Sequence, residues 1–535
     1  MTRALPTSLM TLLFSLACGD AEPPADLPPP ACEGVPERAS VETVTLAAED
    51  GVELVFRLFR PGGVCAARPV PLLVWNHGYP ERGTEFVEDA APYLDRGYAF
   101  LSLDQRGILG ASGGVTSGAP RPGIEDADVS RVLDWVHDNA PWVARDAEPG
   151  VQRDLVVGSF GNGAGGHLAV LLAARDPRVD AILPYVHFAS VMDDVFAPNG
   201  AVRSFTATLF LDFSIEFGVR FDPTLLPLIE RAGDDFIIPD ALEAAWRASD
   251  LAPVAGDVTV PTLFVQPLPD QVNNGLRAAL RTRAALGTPA ADTWLVGMNA
   301  PCFGPTGDRG FGVGAPDRER ANQCADLYTP GFAAGGIGRF LDGELVFLFF
   351  DAFLKREAEA EARMRRVPRV VLPAEQEGCV RGEGWPLTDA PRAFALGDVT
   401  LPEGDDALEV PLLVADETVV VAGTSKLQAT FDPGLDVLFL GTLVVRSGER
   451  RYVAHDQVIG AHTSTFDGTL DIELGSVVTR LMPGDELLLV LESESFLYAD
   501  AGSEPTGAAT LRDVVLEVPF VDSARLGEPV VVADL

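Results

Sequence analysis

The 535-residue sequence predicts an α/β domain followed by an all-β domain, on three observations. From about residue 41 to 357, short runs rich in Val, Leu and Phe alternate with amphipathic helical stretches, the pattern of a mostly parallel sheet covered by helices. Beyond about residue 373 the pattern becomes short strands separated by turn residues, as in a β-sandwich or jelly roll. The chain is also too long for one ordinary core, since single domains stop growing at roughly 250–300 residues.

Taken in order, residues 1–18 read as a leader. Arg3 precedes the apolar run "LMTLLFSLA", long enough for the core of a signal peptide and short of the roughly 20 residues that span a bilayer. Cys18 in "SLACGD" resembles the cleavage site of a bacterial lipoprotein, which predicts an exported chain attached to a bacterial membrane through a lipidated Cys18, on its periplasmic or cell-surface side. Residues 19–40, with "EPPADLPPPACEGVPE", read as a Pro-rich tether.

The α/β part, 41–357, offers the strands "VELVFRLFRP", "VPLLVWNHG", "YAFLSLDQRG", "DLVVGSF", "AILPYV", "PTLFVQP" and "DTWLVG". Its helices include "DVSRVLDWVHDNA", "HLAVLLAARD" and "ELVFLFFDAFLKRE". Between "AILPYV" and "PTLFVQP" the alternation breaks: "FTATLFLDFSIEFGVRF" and "DALEAAWRASD" read as helices of a cap spanning about 188–255. Residues 358–372 read as a linker and 373–535 as the sandwich domain, with strands such as "TVVVAGTSKLQATF", "DVLFLGTLVVRSGE" and "DELLLVLESESFLY".

Lys and Arg number 40 against 78 Asp and Glu, a net charge of −38, which repels nucleic acid and excludes it as a partner. Setting Cys18 aside leaves Cys32, Cys65, Cys302, Cys324 and Cys379. An odd number in an oxidising compartment allows at most two internal disulfides, with Cys302–Cys324 the first candidate.

The stretch "GSFGNGAGG", residues 158–166, decides the chemistry. Gly161, Gly163 and Gly166 spell G-x-G-x-x-G after a strand and before a helix. A dinucleotide fingerprint also wants an acidic residue at the end of the next strand, yet Asp180 precedes "AILPYV", which runs out into Pro184, Tyr185 and His187. No cofactor and no metal is expected.

The neighbouring segments point elsewhere. "DRGYAFLSLDQRGILGASGG", "DADVSRVLDWV", "LAARDPRVDAILPY" and "VPTLFVQPLPD", in that order, resemble the α/β-hydrolase domain of Xaa-Pro dipeptidyl-peptidases and cocaine-esterase-like acyl hydrolases. The resemblance covers about residues 41–525 and implies an α/β-hydrolase domain with a helical cap insertion, followed by a jelly-roll-like β-sandwich. The family's nucleophile elbow reads G-x-S-Y-G-G. Laid on "VGSFGNGAGG", it puts the glycines on Gly161, Gly165 and Gly166 and the serine on Gly163. A rival register makes Ser159 the nucleophile, but places β-branched Val157 where a small residue is needed and starts the helix with four glycines in seven residues.

By the same resemblance the acid falls on Asp270, with Pro267 standing where the family has Gly. The histidine slot, in "WLVGMNAPC", falls on Asn299. None of the six histidines (His77, His137, His167, His187, His455, His462) lies between residues 188 and 454. An amide cannot accept a serine proton near neutral pH. The oxyanion donors of the family correspond to Tyr79 and to the backbone N–H of Ala164. The sequence therefore predicts a hydrolase fold that has lost its nucleophile and base and keeps a pocket for a small-molecule or peptide ligand. The alternative is an active serine acyl or peptide hydrolase, esterase or dipeptidyl-peptidase, with a relocated nucleophile such as Ser159. Nothing in the sequence fixes the oligomeric state.

Overall fold

The computed structural model describes residues 32, 34–79, 81–203, 206, 214–216, 218–235, 238–270, 275–299, 323–328, 341–375, 378–388, 390–401, 407–493, 498 and 509–535. Its first part is built on one long sheet. Strands β1 (Ser40–Ala47), β2 (Glu53–Arg60), β3 (Leu72–Asn76), β4 (Ala99–Leu103), β5 (Val157–Asn162), β6 (Val179–Tyr185), β7 (Thr262–Pro267) and β8 (Thr293–Met298) take the order β1-β2-β4-β3-β5-β6-β7-β8. The antiparallel pairs lie at the β1 edge, and β4 through β8 run parallel in register. This is the α/β-hydrolase sheet. Strands β3 to β8 are apolar on both faces because helices cover both.

On one face, α1 (Val87–Asp95) and a helix at Glu344–Phe353 enclose Trp75, Tyr93, Phe160 and Phe350. On the other, α2 (Glu125–Asn139) and α3 (Ala164–Arg175) bury Val129, Val132, Leu168 and Leu171 against Leu72, Val74 and Ile182. After β6 the chain enters the cap. A helical turn, Val191–Phe196, precedes α4 (Leu226–Asp235) and α5 (Asp240–Arg247), the latter where "DALEAAWRASD" predicts a helix. Of "FTATLFLDFSIEFGVRF" the helical piece Ser214–Glu216 is described; most of the rest lies outside the described residues. Helix α6 (Gly275–Ala285) follows β7, and Glu344–Phe353 is α7.

The boundary after α7 differs from the sequence-based expectation. The predicted linker 358–372 contains α8 (Ala358–Met364) and the start of β9 (Val370–Pro373), which pairs with β8 in parallel; β10 (Cys379–Gly382) pairs with β9. The hydrolase sheet thus extends past residue 373, because the wholly buried "VVLP" run finds its partner on β8 rather than in the sandwich. A short closing strand, Leu526–Gly527, returns to pair with β10.

The sandwich proper comprises β11 (Arg392–Thr400), β12 (Ala407–Val414), β13 (Val419–Thr430), β14 (Leu438–Ser447), β15 (Arg450–Val453), β16 (Ile459–His462), β17 (Thr469–Leu481), β18 (Glu486–Glu492) and β19 (Thr510–Val518). One sheet runs β11-β19-β13-β17 and the other β12-β18-β14-β15, with β16 also on β14, all antiparallel. Their inner faces interdigitate Val421, Leu427, Phe439, Leu443, Leu489 and Leu516. Residues alternate between this core and solvent along the edge strands, as the pleat requires.

Among the described residues two disulfides are present, Cys32–Cys65 and Cys324–Cys379. The expected Cys302–Cys324 bond is therefore corrected. Cys324 is held instead against the start of β10, where the extended sheet delivers Cys379; Cys302 lies outside the described residues, as does Cys18. The end of the predicted tether is likewise part of the folded body. Cys32 is bonded to Cys65, and Gly63 N–H donates to the carbonyl of Pro36 at 2.9 Å. Among the described residues no helix is long and apolar enough to cross a membrane.

Candidate active site

Parallel strands point their C-terminal ends the same way, so the residues just beyond β3, β5, β7 and β8 gather along one edge of the sheet. Asn162 is level with Tyr185 of β6, Tyr185 with Val265 of β7, and Val265 with Val296 of β8. Gly163, Asp270 and Asn299 follow these strands directly or within three residues. The three positions that the hydrolase resemblance singles out thus share one edge.

The turn at Gly163 is fixed by its neighbours' lack of side chains. Strand β5 runs to Asn162 and α3 starts at Ala164, leaving one residue to reverse direction. Gly163 does so at φ 57°, ψ −116°, with its N–H donating to the Tyr185 carbonyl at 3.0 Å. A Cβ on Gly165 would lie 1.9 Å from the Asn76 carbonyl oxygen, one on Gly161 2.4 Å from the same atom, and one on Gly166 2.7 Å from the Tyr185 carbonyl oxygen. These glycines let the helix start press against β3 and β6. A Cβ on Gly163, by contrast, meets nothing within 4 Å. The backbone there makes a sharp strand-to-helix turn at positive φ with open space at the Cβ position.

Ser159 stands four residues before Gly163, inside β5. It is level with Val74 on β3 and Ile182 on β6, wholly buried, and its hydroxyl accepts a 2.9 Å hydrogen bond from Asn76 Nδ2. Helix α3 begins five residues beyond it, so the Ser159 register does not coincide with the turn.

Asp270 is fully buried after β7. Asn299 directly follows β8 and donates from Nδ2 to Gln323 Oε1 at 2.8 Å. Leu268 N–H donates to the Met298 carbonyl at 2.9 Å, tying the two strand exits together. Tyr79, in the loop after β3, has a buried hydroxyl near Ser214 of the cap, and burial raises its pKa above the usual phenol range. Its ring lies 6.4 Å from that of Phe221. Ala164, as the first residue of α3, has one of the N–H groups a helix start leaves for an anion. Ala164 also packs in an apolar cluster with Phe188, Val191, Phe196 and Trp246, which forms the roof over the elbow.

The histidines near the strand ends are committed to structure. His77 accepts the Gln105 N–H at Nε2 and contacts the Gly78 carbonyl through Nδ1, both at 2.9 Å, pinning the β3 loop to the β4 loop. His167 is fully buried on α3, with Nδ1 2.9 Å from the Phe188 carbonyl, and burial pulls its pKa down to about 4. His187 sits between Gln266 and Thr282 at 2.7 and 2.9 Å; burial and, second, the nearby His167 bring it to about 3.

Two contributors escaped the sequence reading. Glu81 accepts the Gly78 N–H at 3.1 Å and Asn162 Nδ2 at 3.5 Å, placing a carboxylate beside the elbow. Gln457, from the sandwich, donates to the carbonyls of Leu268 and Asp270 at 3.0 and 2.8 Å. Neither carries a local motif, and Gln457 is 187 residues from Asp270.

The sequence model of the X-Pro dipeptidyl-peptidase (S15) family matches residues 50–285, the stretch that holds β2 to β7, the cap, the elbow and the acid loop. This segment is similar to the S15 family. Solved structures extend the likeness of the S15-like chain over its sandwich. An α-amino acid ester hydrolase matches with TM-score 0.65 at 15% identity, covering 94% of this chain and 100% of that one. An aminopeptidase from a marine sediment Thaumarchaeota archaeon matches with TM-score 0.62 at 14% identity (93% and 99% covered). A CocE/NonD family hydrolase from Staphylococcus aureus matches with TM-score 0.59 at 12% identity (90% and 94% covered). At these identities the shared property is the fold. No curated protein matches the chain.

Proposed function

We propose that this S15-like chain is a catalytically silent hydrolase, exported and lipid-anchored through Cys18, that binds a small acyl or peptide ligand at the strand ends around Gly163. One observation carries the reading: the elbow, with its strained turn and open side-chain space, is occupied by Gly163. Without an Oγ at that point no acyl-enzyme forms. Asn299 in the histidine slot removes the base as well, and its amide is already engaged with Gln323. The ester hydrolase and aminopeptidase among the structural neighbours support acyl and peptide ligands as the class to test. The two disulfides support an oxidising compartment, and with it export.

The test is to treat the protein with a fluorophosphonate probe and assay it with p-nitrophenyl esters and Xaa-Pro-nitroanilides. The expected outcome is no labelling and no turnover beyond the roughly 10³-fold over water that a site without its triad retains. The double variant Gly163→Ser with Asn299→His is expected to gain both. Labelling at Ser159, or turnover abolished by Ser159→Ala, would establish the relocated-nucleophile hydrolase instead.

A further inference from the structure

Two walls flank the elbow, and the sandwich touches both. One is the roof, the turn Val191–Phe196 with Ala197 and Val202, which packs with Phe188 around Ala164. The other is the acid loop, where Leu268 and Asp270 follow β7. Each is fastened to the same four residues of the sandwich, "QVIG" at 457–460, which lead into β16.

On the roof side the connection is a buried relay. Arg203 is 2% exposed, and it holds the turn through two carbonyls: its backbone N–H donates to Phe196 at 2.8 Å and its Nη1 to Asp194 at 2.9 Å. Its Nε donates to the Tyr498 hydroxyl at 3.0 Å, which donates in turn to the Val458 carbonyl at 3.2 Å. Four residues before Arg203, Asn199 Nδ2 donates to the Gly460 carbonyl at 3.2 Å. Gly460 permits the approach, since a Cβ there would lie 2.8 Å from both Ala201 Cβ and the Tyr498 ring.

On the acid side Gln457, next in sequence to Val458, donates to the carbonyls of Leu268 and Asp270 at 3.0 and 2.8 Å. The anchor itself is held on β14. The Gln457 carbonyl accepts the Thr442 hydroxyl at 2.7 Å, and Ile459 and Gly460 pair with Gly441 and Leu440. Arg203, Tyr498, Gln457 and Thr442 are all buried, so pulling either wall away strips a buried polar group of its partner unless the anchor also shifts and admits water. Gln457 and Val458 share one backbone, so a shift that frees one disturbs the other.

We propose that residues 457–460 couple the roof to the acid loop, so that the two walls beside Gly163 open together as one cooperative unit. The sandwich thereby governs access to a site to which it contributes no strand end. The coupling belongs to the chain without ligand, and its test needs none.

Hydrogen exchange of the full-length chain, read by mass spectrometry on peptides covering 190–203, 266–270 and 157–162, tests the coupling. The first two report the walls through the hydrogen-bonded N–H groups of Asp194, Ala197, Arg203, Leu268 and Asp270, and the third reports β5 in the core. Both walls are expected to exchange faster than β5 in the wild type. Gln457→Ala cuts the bonds to the acid loop and is expected to speed exchange in the roof as well, about tenfold. Tyr498→Phe cuts the relay to the roof and is expected to speed the acid loop by a similar factor. Asn199→Gly deletes the bond to Gly460 while keeping the left-handed turn at φ 50°, and replaces Tyr498→Phe if that variant fails to fold. A variant that leaves the opposite wall's exchange unchanged, or walls that exchange no faster than β5, overturns the proposal.

Discussion

The side-chain amide of Gln457, in the sandwich, donates to the backbone carbonyl of Asp270, in the hydrolase domain, at 2.8 Å, and to that of Leu268 at 3.0 Å. The acid loop is therefore held from the other domain, through backbone atoms. Both groups are buried, so removing the donor takes one bond from each carbonyl, that of Leu268 keeping the Asp270 N–H at 2.9 Å. Gln457→Ala is expected to destabilise the protein by about 1–3 kcal/mol. Gln457→Glu should cost more, because a carboxylate sets negative oxygens against two carbonyl oxygens. Urea midpoints of the three proteins check this, and equal midpoints for wild type and Gln457→Ala refute the clamp.

The glycines of the elbow are separable by the same kind of measurement. Gly165→Ala pushes a methyl group to 1.9 Å from the Asn76 carbonyl oxygen, a collision with backbone that only a shift of α3 relieves. Its expected cost is about 3 kcal/mol or more. Gly163→Ala meets open space and carries only the strain of an L-residue at φ 57°, about 1–2 kcal/mol. If the two substitutions cost the same, the turn is not built on close backbone packing.

What could be read in advance follows from what each residue answers to. Gly161, Gly165 and Gly166 were legible because a tight strand-to-helix turn leaves a local record in the sequence. So were β2 to β8, whose doubly covered apolar runs have few other uses. Strands β9 and β10 were misplaced because a four-residue run such as "VVLP" is equally suited to either domain, and only pairing with β8 settles it. Gln457, Glu81 and the partner of Cys324 left no local trace, since each acts through a contact distant in sequence.

The Cys324–Cys379 bond closes a separation of 55 residues and fixes the segment after Asn299's partner Gln323 to β10. In the chain-entropy account a loop of this length stabilises by about 4 kcal/mol. Cys324→Ala with Cys379→Ala is expected to lose about 3–4 kcal/mol. The loss should vanish when wild type and variant are compared under reducing denaturation, where both lack the bond; a difference that persists assigns the effect to packing.

Asp180, at the start of β6, gives the clearest dependence on pH. Burial, reinforced by Asp146 and Asp154, pushes its pKa up to about 7, against the Val157 N–H bond at 2.7 Å and Arg356, which favour the anion. The folded value lies above the unfolded 3.8. Between the two the folded chain keeps a proton that the unfolded chain has released, so stability falls as pH rises, and the full penalty is in place above about pH 7. Asp180→Asn removes the titration while its amide oxygen can still accept the Val157 N–H. With 1.36 kcal/mol per pKa unit, the substitution should stabilise the protein by about 2 kcal/mol more at pH 8 than at pH 5. Urea unfolding at the two pH values measures this directly. A gain that is the same at both, or larger at pH 5, would place the folded-state pKa of Asp180 near its ordinary value.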